Sequence, residues 1–125
     1  MAVGVGTGLV LGMWSFDGPM PVPEWLGAYD STARRLVRLG HIAFLGLGIL
    51  DVLLARELAG LALSGAMKRL ASRAMILGNV LLPPVLFAAG AWRPCKYLLP
   101  LPATAVVVSL ALAAWGAWGS RDAGE

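Results

Sequence analysis

An all-α, polytopic membrane fold is predicted by three observations. Four apolar stretches, at residues 2–16, 36–55, 74–92 and 97–118, fill most of the 125-residue chain. The second to fourth are each close to the ~20 residues that a helix needs to cross a hydrocarbon core. The composition is 58% hydrophobic and 14% charged, with a mean hydropathy of +0.76. Water does not accommodate that much apolar surface at this size. The expected architecture is one domain over 1–125, a bundle of about four transmembrane helices, the third broken at a Pro-Pro pair. The polar stretches 17–35 and 56–73 hold too few apolar residues to build a separate soluble core.

The first stretch carries Gly4, Gly8 and Gly12, which share one helix face and allow another backbone to approach closely. Two uses fit that face: packing inside the bundle, or docking onto other membrane subunits. No Lys or Arg precedes the apolar run and no A-x-A-like site follows it, so it reads as a span rather than a signal peptide. Pro19, Pro21 and Pro23 then alternate, which predicts an extended segment. Trp14, Phe16, Trp25 and Tyr29 suit a membrane interface. Asp30, Ser31 and Thr32 are candidate N-caps for a helix starting near Ala33 and running unbroken into the second span.

Residues 56–73 contain Gly60 and Gly65 and end in Lys68, Arg69 and Arg73. They predict either a short helix on the membrane surface or a solvated loop flowing into the third helix. In the third span, Pro83 and Pro84 remove two backbone donors, so the carbonyls of Asn79 and Val80 lose their usual partners and a kink or break is expected. Arg93, Pro94, Cys95 and Lys96 predict a tight hairpin. Pro100 and Pro102 place the start of the fourth helix at about Leu101 or Pro102. Trp115 and Trp118 mark the far interface.

The net charge is +3 and the pI about 9.6. The basic residues flank apolar spans, as membrane anchors do, and form no basic stripe interleaved with aromatics, so nucleic acid is not an expected partner. The lipid bilayer is. Arg34, Arg35, Arg38, Arg93 and Lys96 fall on one side of a four-span chain; Arg56, Lys68, Arg69, Arg73 and Arg121 fall on the other. Five against five gives the positive-inside rule no vote. Asp17, Glu24 and Asp30 incline the Pro-rich segment toward the outer face.

Ionisable groups within spans are costly and therefore candidates for function. Asp51, with Asn79 as a neutral third polar group, reads as a polar clamp, a proton or ion relay, or a subunit contact. His41 has Arg38 and Arg34 on its face three and seven residues earlier, and Gly48 seven later. That set suits a structural hydrogen bond, a quinone contact, or a haem b or chlorophyll-type ring on the imidazole with the arginines on its propionates. Met13, near the same end of the first span, is the methionine placed for a second axial position. One cysteine, Cys95, and no CxxC exclude cysteine zinc sites and covalent haem within the chain. HExxH is absent, and no nucleophile–base pattern stands out, so no catalytic or metal residues are assigned.

The reading expected from these features is a small accessory or structural subunit of a larger membrane complex, such as a respiratory or photosynthetic electron-transfer assembly, in a bacterial-type inner membrane. The alternatives are a small oligomeric transporter or channel, and a haem- or quinone-binding redox component built on His41.

Overall fold

The computed structural model describes residues 2–15 and 18–122, the side chains of 121 and 122 excepted. The interfacial assignment of Phe16, the acid at Asp17 and the charge of Arg121 lie outside the described residues. The described chain contains helices and no strand. In order these are α1 (Ala2–Met13), a 3-10 turn (Glu24–Leu26), α2 (Thr32–Glu57), α3 (Gly65–Ala91), a second 3-10 turn (Arg93–Leu98) and α4 (Pro100–Asp122).

Three of these helices are long and apolar enough to cross a membrane, which marks an integral membrane protein. α1 falls short: twelve residues rise ~18 Å, against a hydrocarbon core of ~30 Å. The expected four spans are thus three long helices and one short apolar one.

The helix boundaries follow local chemistry. Ser31 caps α2, its Oγ accepting from Arg34 N at 3.2 Å and donating to Leu26 O at 2.5 Å. The preceding 3-10 turn ends at Gly27, whose φ of +67° favours glycine. Ser64 caps α3 in the same way, its Oγ accepting from Met67 N at 3.3 Å. That cap starts α3 at Gly65, nine residues before the apolar stretch, so residues 65–73 form no separate surface helix. The second 3-10 turn takes the place of the tight hairpin, and α4 starts at Pro100, where a missing N–H costs nothing.

The Pro-Pro pair does not break α3. The helix is continuous from Gly65 to Ala91 with Pro83 and Pro84 inside it. That continuity has a physical basis in the neighbouring helix. Pro83 is fully buried, and Gly40 of α2 lies so close that a Cβ there would stand 3.2 Å from Pro83 O and 3.0 Å from the Phe87 ring. A glycine partner brings α2 against the proline turn, and tertiary packing holds a helix that has lost two of its own bonds.

The helices pack in chain order: α1 on α2, α2 on α3, α3 on α4, with no other substantial contact between long helices. Among the described residues α1 and α4 share no substantial contact, so the bundle is an open row. Small residues set each approach. Gly4 meets Leu45 and Phe44; Gly90 meets Val37 and the Ala33 carbonyl; Gly78 meets Val106 and the Pro102 carbonyl. Ser109, fully buried, donates from α4 to the Ala71 carbonyl of α3 at 2.8 Å. α3 is the middle of the row and buries 33% of its apolar window, against 17% for each of the other two spans.

Candidate functional site

His41 follows the start of α2 by nine residues, about 13 Å along the helix axis. α1 runs antiparallel to α2, with Gly4 at Leu45 and Gly8 at His41. The imidazole therefore lies on the α1 backbone. A Cβ on Gly8 would stand 2.5 Å from Cε1 and 3.0 Å from Nε2. Thr7 supplies the polar partner: its Oγ1 lies 3.3 Å from His41 Nδ1 and donates to Gly4 O at 2.9 Å. The single hydroxyl proton is spent on Gly4, so in this pairing Nδ1–H donates and the Thr7 oxygen accepts. The arrangement is a helix–helix polar contact.

Met13 stands five residues beyond Gly8 on α1, about 7.5 Å further along the axis. By the Gly4 and Gly8 register it is level with Leu36, while Thr7 and Gly8 occupy the space facing the His41 ring. Arg34 and Arg38 are drawn the other way, toward the first loop. Arg34 is 8% exposed; its Nη2 donates to the Trp14 carbonyl and its guanidinium lies 5.5 Å from the Tyr29 ring centroid. Arg38 Nη2 donates to Tyr29 O at 2.6 Å, and its guanidinium covers the same ring at 4.3 Å. Arg38 Nε is buried without a hydrogen-bond partner. The two arginines thus fasten Trp14 and Tyr29 to α2.

Asp51 and Asn79 come together. Asn79 Nδ2 donates to Asp51 Oδ2 at 3.3 Å, with both residues half-buried. Asp51 is six residues from Glu57 and Asn79 six from Arg73, so each sits about 9 Å inward from a charged residue. Side chains on a helix lean toward its N-terminus, and in antiparallel helices the two therefore lean toward each other. The pair adjoins the proline turn. With prolines at both 83 and 84, the Asn79 carbonyl has only the Leu82 N–H within helical reach.

Two grooves flank the row at its first half. One, of about 480 Å³, is lined by Gly6, Thr7, Val10 and Trp14 of α1 with Trp25, Val37 and Phe87. The other, of about 430 Å³, runs between α2 and α3 past Ile42, Gly46, Leu50 and Leu86. Among the described residues no group of three or more His, Cys, Asp or Glu side chains is placed to hold a metal.

Sequence reasoning missed Thr7 as the partner of His41, and it named Tyr29 for the interface without its contacts to Arg34 and Arg38. Thr7 was visible as the polar residue next to a close-approach glycine, but its pairing with His41 needs the register of α1 on α2. No protein-family profile matches the chain, and no curated protein or solved structure is significantly similar to it.

Proposed function

We propose that this protein is a small accessory subunit of a larger membrane complex. The observation that carries the reading is the open space at Gly6, Gly12 and Gly46, where an added Cβ would meet nothing within 4 Å among the described residues. Gly6 and Gly46 also lie in the two apolar grooves of the open row. Lipid tails gain nothing from glycine, whereas another helix gains a close backbone approach. Gly4 and Gly8, by contrast, are occupied by α2 and so belong to the fold. A respiratory or photosynthetic electron-transfer assembly in a bacterial-type inner membrane is the class of complex proposed, since such assemblies collect small polytopic chains.

The test is native mass spectrometry of the protein drawn from its own membranes in mild detergent. Masses of unlike partner chains are expected, and those partners name the complex. A lone monomer or a homo-oligomer overturns the reading. The second reading, a small oligomeric transporter, is favoured by the Asp51–Asn79 pair beside the proline turn. It requires a homo-oligomer and a solute flux that Asp51→Asn abolishes while the fold persists.

A further inference from the structure

The α1 helix covers only part of the face that α2 and α3 turn toward it. Gly4 meets Leu45 and Gly8 meets His41, so the start of α1 at Ala2 is level with Leu47. Asp51 lies four residues beyond, about 6 Å along the axis. Val52 follows Leu45 by seven residues, shares its face of α2 and is 52% exposed. Val80 precedes Phe87 by seven residues on α3 and is 61% exposed, and Phe87 lines the groove beside α1. Ile76, one turn before Val80, is half exposed as well. Past the described start of α1 the same face is therefore open, walled by Val52, Ile76 and Val80. On the other side of the α2–α3 contact Leu47, Leu54 and Met75 are buried.

Asp51 lies at the floor of this opening. Its Oδ2 accepts from Asn79 at 3.3 Å; among the described residues Oδ1 accepts no bond, and it is not enclosed. Among the described residues no cation pairs with the carboxylate. Asn79 is neutral and leaves the charge unbalanced. Such a group is costly in hydrocarbon, and an acyl chain laid against it brings neither charge nor donor. A second copy of this chain brings no cation to that depth. No Lys or Arg stands in residues 2–13, 39–55, 74–92 or 97–120. His41 is ten residues from Asp51, about 15 Å, and is paired with Thr7.

We propose that this open face docks a transmembrane helix of an unlike subunit that carries a Lys or Arg in its span, level with Asp51. The cation takes Asp51 Oδ1 while Asn79 holds Oδ2, and Val52, Ile76 and Val80 pack the partner's apolar side chains. The proposal rests on the accessory-subunit reading and names the chemistry of the partner.

The experiment places a photoreactive benzoylphenylalanine at position 80 of the full chain, irradiates it in its own membranes and sequences the crosslinked peptide. A span of an unlike chain that contains a Lys or Arg is expected. That chain is then quantified after purification of each variant in mild detergent. Asp51→Asn keeps the bond to Asn79 but loses the charge, and is expected to weaken retention about 30-fold. Asp51→Glu is expected to keep the partner, as is Val107→Trp on the exposed surface of α4. Val80→Trp fills the face without touching the carboxylate and is expected to lose the partner; it carries the test if circular dichroism shows Asp51→Asn unfolded. Asp51→Lys combined with Asp in place of the partner's cation is expected to restore what each change alone removes. A crosslinked span without Lys or Arg overturns the proposal, as does a crosslink to lipid or to a second copy, or full retention by folded Asp51→Asn. If native mass spectrometry still finds unlike chains in those cases, the accessory-subunit reading stands without this interface; if it finds none, both fall.

Discussion

Gly78→Ala tests the packing of the row at its centre. Gly78 is buried in α3 against α4. A Cβ there would stand 3.2 Å from Pro102 O and 3.3 Å from Val106 N, and the Val106 Cγ2 methyl would lie well inside 3.0 Å. Ordinary contact begins at 3.4 Å, so that methyl must retreat by more than 0.4 Å (3.4 minus 3.0). Val106 is stiff at χ1 and 9% exposed, and the other two neighbours are backbone. α4 as a whole has to move. Overpacking of this kind costs about 1–3 kcal/mol, and alanine's better helix propensity returns at most ~1 kcal/mol. A net loss of about 1–2 kcal/mol is expected. Gly46→Ala, into open space, serves as the control and is expected to lose nothing. Unfolding in detergent micelles by added dodecyl sulfate, followed by tryptophan fluorescence, gives both values. Adding Val106→Ala to Gly78→Ala should restore part of the loss. If Gly78→Ala proves as stable as Gly46→Ala, the close α3–α4 approach is refuted.

Two further outcomes follow from the polar contacts. Gly8→Ala forces the His41 ring off α1 and breaks its bond to Thr7, and interhelical bonds of this kind are worth about 0.6 kcal/mol. Hydrogen exchange in residues 2–13 should quicken roughly threefold, and His41→Ala in the same chain should relieve the clash; unchanged exchange in Gly8→Ala would sink the contact. Asn79→Leu strips Asp51 of its donor and is expected to cost about 1–3 kcal/mol in the same unfolding assay. Asp51→Asn keeps an oxygen to accept from Asn79 and should cost less than half as much; equal losses would show that the bond contributes nothing.

Hydropathy was legible because lipid imposes it on every span, and the Ser31 cap was legible because a hydroxyl three residues before an unpaired N–H is a local matter. The start of α3 was not, because residues 65–73 are helical without being apolar. Alanine, lysine and arginine extend the helix beyond the stretch that hydropathy detects. The kink or break expected at the Pro-Pro pair is only roughly matched, for a different reason. Counting lost bonds along the sequence gives the cost to an isolated helix, and says nothing of Gly40 arriving from α2 to pack on the proline turn. Gly4 and Gly8 were legible as sites of close approach, but their neighbour was not. Whether a glycine faces its own chain or another depends on register, which His41 and Leu45 fix here.

The same division separates folding from association. α3 carries two sets of close approaches, Gly78 and Ala71 toward α4, Gly90 and Pro83 toward α2, which is why it is the best-buried span. α2 carries two as well, toward α1 and toward α3, and Gly116 of α4 meets Leu61 and Leu63 besides the α3 contact, but parts of the α1 and α2 surfaces meet no other residue of the described chain. Gly6, Gly12 and Gly46 lie on such faces, so their lack of a side chain serves no contact within the row. A glycine within a helix forfeits up to ~1 kcal/mol of propensity relative to alanine. The glycines of α3 recover that in packing, as the Gly78 geometry requires. The glycines of α1 and α2 that face open space have no such return among the described residues, and a second helix seated on them would provide it.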